Sequence, residues 1–132
     1  SNVDGNYVTL LPKDPDNSAR LIRDGIRTKS GKKVAVIISD TFGRPFRLGQ
    51  TDNAIGVAGI ESILSYEGKP DTFGKILRVT AIAVVDELSA AAELVMEKSI
   101  DIPIAIIRGL KYESSNENAE LLIRDDQEDF FL

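Results

Sequence analysis

The chain has 132 residues, enough for one domain that buries roughly two thirds of its unfolded surface. With 16 Lys and Arg against 21 Asp and Glu, its net charge of -5 offers no electrostatic footprint for nucleic acid or an anionic membrane. It holds neither cysteine nor histidine, which excludes disulfides, thiolate metal sites, Cys nucleophiles, Ser-His-Asp triads and imidazole-rich zinc centres.

Any metal must therefore be a hard cation bound through oxygen. No stretch approaches the roughly 18 apolar residues of a membrane span, and SNVDGNY lacks the basic and apolar regions of a signal peptide. A cytoplasmic protein is expected. The chain lacks an initiator Met and starts just before a strand, so one domain of a longer protein is expected too.

Tyr7 to Leu11 reads as a strand stopped by Pro12. Asp14 can then cap a helix with Pro15 at its first position and Asp16 complementing the dipole, Ala19, Ile22 and Ile26 on one face and Gly31 as terminator. The β-branched run Val34 to Ile38 predicts a strand buried on both faces, so strand, helix and strand suggest a βαβ-like unit with Asp40 and Thr41 at its C-terminal edge. A polar, glycine-punctuated loop follows, then Ala54 to Ile60, which reads as a glycine-thinned strand with a packed helix as the alternative. Glu67 to Asp71 carries a turn signal, Leu77 to Val85 reads as a strand, and Asp86 to Lys98 as a helix with Leu88, Ala92, Val95 and Met96 inward. Pro103 to Ile107 reads as a short buried strand, Lys111 to Asn118 as a polar connection, and Leu121 to Ile123 as an apolar anchor before an acidic end. The expected class is α+β: a single domain over residues 1–132, with a mixed sheet and packed helices.

Chemistry concentrates between Ile37 and Gly59. Asp40 follows an aliphatic run and precedes Thr41, so a carboxylate, a hydroxyl and a carbonyl lie together, which suits Mg²⁺ or Mn²⁺; from spacing alone a plain turn cap is the favoured account of Asp40. Arg44 and Arg47 flank Pro45 and can bind phosphate or carboxylate oxygens, or stand as solvated surface cations. Gln50, Thr51, Asp52 and Asn53 can orient a substrate or serve as turn residues. Neither a Walker A sequence nor a GxGxxG fingerprint occurs, so nucleotide binding would need another design.

SDTFGRPFRLGQTDNAIGVAG at Ser39 to Gly59, VTLLPKDPDNSA at Val8 to Ala19, VVDELSAAAELVMEK at Val84 to Lys98 and PIAIIRGL at Pro103 to Leu110 together resemble the coenzyme F420-0:L-glutamate ligase family. The resemblance implies a GTP-dependent γ-glutamyl ligase: phosphoryl transfer activates the substrate carboxylate, and the L-glutamate amine attacks the acyl phosphate, releasing GDP and phosphate. Such chemistry rests on positioning and charge neutralisation, so the missing histidine is no obstacle. By the same resemblance Asp40 and Thr41 match a metal-binding Asp-Thr pair, and Asn2 closes a D-x-S-N motif that contacts GTP, with Ser1 before it. Lys98 is a further nucleotide contact in this reading; Arg44 and Arg47, whose charge an acidic protein needs to meet polyanionic substrates, are expected to lie near the metal and bind anionic oxygens of GTP or of the deazaflavin's phosphodiester tail. The motif's acid, a second metal ligand, falls ahead of Ser1, so the chain looks like the C-terminal half of the enzyme, and is expected to be inactive alone. A homodimer is the expected assembly. Two alternatives stand beside this: a non-catalytic dimerisation or ligand-binding module, and a carboxylate-amine ligase acting on a different acid.

Overall fold

The computed structural model describes residues 9–127. The architecture is α+β: helix α1 (Pro15–Ser30), a hairpin of β1 (Val36–Arg44) and β2 (Arg47–Ala58), a small pair β3 (Leu64–Ser65) and β4 (Ala81–Ile82), helix α2 (Val84–Met96) and a 3-10 turn at Ala119–Leu122. Both sheets are antiparallel pairs, so among the described residues the βαβ-like arrangement is not formed. Thr9 to Leu11, the described part of the first expected strand, lie outside any strand.

Helix α1 follows its sequence signals. The Asp14 carboxylate accepts from Asn17 N at 2.7 Å, Pro15 opens the first turn, and Gly31 closes the helix at φ 69. Ala19 is fully buried, whereas Ile22 and Ile26 on the same face stay partly open. In α2 the inward residues are Val85 and Ser89, with Leu88 packed at the core's edge; Val95, expected inside, is exposed.

The expected polar loop after Thr41 is a hairpin instead. Strand β1 runs through Asp40 and Thr41 to Arg44, and only Pro45 and Phe46 remain as the connecting turn. Proline suits the first central position, while the second needs a positive φ, which Phe46 supplies at φ 59. Gly49, at φ 82, takes up the register shift next to the turn. A second shift, between Ile38 and Ser39, leaves Ile55 as the extra residue on β2.

The core joins Ala54, Val57 and Ile60 to Val85 and Ala119. The outer edge of β2 is closed by acids from elsewhere: Asp16 Oδ1 accepts from Val57 N at 2.7 Å and Ala119 N at 3.0 Å, and Asp86 Oδ1 accepts from Ala54 N at 2.8 Å. These satisfy two strand amides and the first amide of the 3-10 turn, which would otherwise be orphaned.

Pro103 to Ile107 is neither strand nor buried; Ile104 and Ile106 are about three quarters exposed. A β-branched sequence forms sheet only where a neighbour supplies the ladder, and none of the described strands lies beside it. Leu77 to Val85 likewise shrinks to the two residues of β4. Of the expected anchor Leu121 to Ile123, Leu122 packs on the core beside buried Ala119, while Leu121 and Ile123 are exposed. The accessible surface is 10885 Å², against roughly 6,800 Å² expected for a compact monomer of this mass. Much apolar surface is thus left uncovered. Among the described residues no helix is long and apolar enough to cross a membrane.

Candidate functional site

The hairpin register builds the site. Thr41 on β1 pairs with Asp52 on β2, and Asp40 pairs with Asn53 one step along. Asp52, Ala54 and, past the extra residue Ile55, Val57 share one buried face of β2, the face on which α2 packs through Ala54 and Val85. Asp52 therefore lies at the margin of the core, and the chain leaving α2 brings Lys98 to it.

Asp52 is 4% exposed and accepts three side-chain hydrogen bonds. Thr41 Oγ1 donates to Oδ1 at 2.8 Å, Lys98 Nζ to Oδ1 at 2.8 Å, and Ser39 Oγ to Oδ2 at 3.3 Å. Burial pushes this carboxyl up, but the Lys98 and Thr41 hydrogen bonds, the Lys98 charge and Ser39 outweigh it, so it stays below the ordinary aspartate value. The Lys98 ammonium is held above its ordinary value, first by its hydrogen bond to Asp52, against some desolvation, then by the charges of Asp52, Glu93 and Asp40. Glu93 Oε1 lies 3.8 Å from Nζ.

One ammonium facing three carboxylates leaves this corner net negative. It therefore favours a cation, or an anion already carrying one, over a bare phosphate. The donors are hard oxygens, in kind those of Mg²⁺ or Mn²⁺. Among the described residues no three acids gather closely enough to hold a metal, so Asp40 and Thr41 would supply only part of a shell. Thr41 spends its proton on Asp52 and keeps lone pairs on its oxygen.

Thr41 and Lys98 are thus brought together on Asp52, while Asp40, the strand neighbour of Thr41 and so on the opposite face, reaches Lys98 through its charge. Asp52, which joins them, stood in the sequence only as one member of a polar cluster. The signal that marks it is its place two residues before Ala54, on the core-facing side of β2, once Thr41 is placed in a strand. Within that cluster Thr51 Oγ1 donates to Asn53 Oδ1 at 3.0 Å. Arg44 and Arg47 pair at the hairpin tip, three residues beyond Thr41 and so about 10 Å away along the strand. The Arg44 guanidinium donates to the carbonyls of Leu48 and Gly49, clamping the turn, while Arg47 is exposed. Ser1 and Asn2 lie outside the described residues.

The family described as F420-0:Gamma-glutamyl ligase matches residues 1–109. The chain is 46% identical over 125 residues to the coenzyme F420:L-glutamate ligase of Methanocaldococcus jannaschii, covering 94% of this chain and 50% of that protein. It is 49% identical over 110 residues to the enzyme of the same name from Methanothermobacter thermautotrophicus, covering 83% and 44% respectively. The Methanococcus maripaludis enzyme is 46% identical over 122 residues, covering 92% and 49%. The chain spans about half the length of the curated relatives it matches. With a family match over most of its length and relatives close to half identical, the chain belongs to the F420-0:gamma-glutamyl ligase family.

Proposed function

We propose that this chain supplies part of the active site of a GTP-dependent ligase that joins L-glutamate to coenzyme F420-0 through an acyl phosphate. The observation that carries the reading is the meeting of Thr41 and Lys98 on buried Asp52, with Asp40 next to Thr41 in the strand, on the hairpin that the family match spans.

The division of labour follows from charge. Asp40 and Thr41 would hold Mg²⁺ or Mn²⁺, which when bound neutralises phosphate oxygens. Lys98 contributes a point charge toward the nucleotide, and Asp52 keeps that ammonium in place. Arg44 and Arg47, at the hairpin tip, meet anionic groups of GTP or of the F420-0 tail. Because the family's proteins are about twice as long, the remaining ligands and nucleotide contacts come from the part of the enzyme outside the match. The chain alone is accordingly inactive, and the working assembly is a cytoplasmic homodimer.

The test joins this chain to the part of the Methanocaldococcus jannaschii ligase outside the match. GDP release should then require both L-glutamate and F420-0. A folded chimera that releases none, beside an active parent ligase, would overturn the proposal; one that prefers a simpler acid would shift it to another carboxylate-amine ligase.

A further inference from the structure

Asp52 is the most deeply set charge of the site, and neither turn chemistry nor core packing explains it. A carboxylate at the margin of an apolar core needs donors for its oxygens, and this one takes them from two elements: Ser39 and Thr41 across the hairpin, and Lys98 from 46 positions along the chain. The path that delivers Lys98 is itself costly. Glu97 closes α2 at φ 51, a left-handed conformation that a residue with a Cβ rarely adopts. That turn sends the chain back toward the hairpin, with Lys98 next in sequence.

The result is a half-exposed lysine whose ammonium is fastened to a buried anchor: the Lys98 side chain is 50% exposed and that of Asp52 only 5%. A surface ion pair formed for stability alone would gain little from such an arrangement. A lysine whose charge must stand at one point beside a metal-bound polyanion would gain direction. The same carboxylate fixes the Thr41 hydroxyl, because Thr41 Oγ1 and Lys98 Nζ share Oδ1.

We propose that Asp52 is a positioning residue of the ligase site. It touches neither reacting group, but orients the Thr41 hydroxyl and the Lys98 ammonium together, so that the two face the same phosphoryl oxygens. The role of those oxygens rests on the reading under Proposed function; the orientation itself does not.

The experiment compares amine labelling of Lys98 by dilute acetic anhydride, read by mass spectrometry, in the 132-residue chain and in its Asp52→Asn and Asp52→Glu variants. Asp52→Asn should speed Lys98 labelling by about threefold to tenfold while Lys32 and Lys33 keep the parental rate, and Asp52→Glu should restore part of the protection. A folded Asp52→Asn chain with unchanged Lys98 labelling would overturn the proposal. If that variant does not fold, the parent chain decides: a scalar coupling between Lys98 Nζ and the Asp52 carboxylate, seen by NMR, supports the clamp, and freely averaging Lys98 signals refute it. Added GTP with Mg²⁺ separates the two claims. Failure to slow Lys98 labelling in the chimeric ligase, which carries the remaining nucleotide contacts, counts against the nucleotide reading and leaves the clamp standing.

Discussion

Replacing Gly56 by Ala tests how the site-bearing hairpin is held. A Cβ there would lie 2.8 Å from Pro15 Cβ and closer still to the carbonyl carbon and oxygen of Pro15, so the start of α1 must lift away. Overpacking of that kind costs about 1–3 kcal/mol. The same movement stretches the bonds from Val57 N and Ala119 N to Asp16 Oδ1, one residue into the helix. Hydrogen bonds to a charged acceptor are worth about 1.5–3 kcal/mol each, so weakening both brings the expected loss to about 3 kcal/mol or more. Against a total stability of about 5–15 kcal/mol this is large, and the urea midpoint should fall by roughly 1–2 M. Gly25 provides the control. It lies inside α1 with open space around its Cβ position, so Gly25→Ala should stabilise by about 0.5–1 kcal/mol. Equal midpoints for Gly56→Ala and the parent would show that α1 does not seat on this glycine.

In the chimeric ligase, Asp40→Asn should weaken Mn²⁺ binding sharply with the far-ultraviolet circular dichroism unchanged; calorimetry showing parental affinity in a folded variant would remove Asp40 from the metal site. Asp52 has a lowered folded-state pKa, so its contribution to stability is present above its ordinary value of 3.8 and is lost as pH falls through the folded value. Urea midpoints measured across acid pH should therefore fall less steeply for Asp52→Asn than for the parent. The Lys98 term has the opposite sign: it is complete below 10.5 and fades as pH rises through the raised folded value. Arg44→Lys keeps charge but loses the planar fork that grips the Leu48 and Gly49 carbonyls, so steady-state kinetics should show a larger loss than charge alone explains; Arg47→Lys should show the same at substrate oxygens. Parental kinetics for both would make them surface residues.

Local signals carried part of this fold and long-range ones the rest. Asp14, Pro15 and Gly31 announce α1 because a helix is bounded by its own residues. Gly43, Pro45 and Gly49 misled for the complementary reason: they look like loop punctuation, yet the strands tolerate them, since Pro45 sits in the two-residue turn and Gly49 absorbs a register shift. Ile104 and Ile106 carry a strand-like pattern whose pairing partner is not among the described strands. In the site, Asp40 and Thr41 were visible as adjacent oxygen donors. The importance of Asp52 was not, because it depends on pairing with Thr41 across the hairpin and on Lys98 arriving from beyond α2.

The proposed reaction makes one commitment that a single isotope experiment can check. If the F420-0 carboxylate is phosphorylated before the amine of L-glutamate attacks, one of its oxygens must leave with the phosphate. Carboxylate-¹⁸O F420-0 turned over by the chimeric ligase with GTP and L-glutamate should therefore yield amide product and inorganic phosphate carrying one ¹⁸O. Amide product accompanied by unlabelled phosphate, or no product from a folded enzyme, would contradict the account.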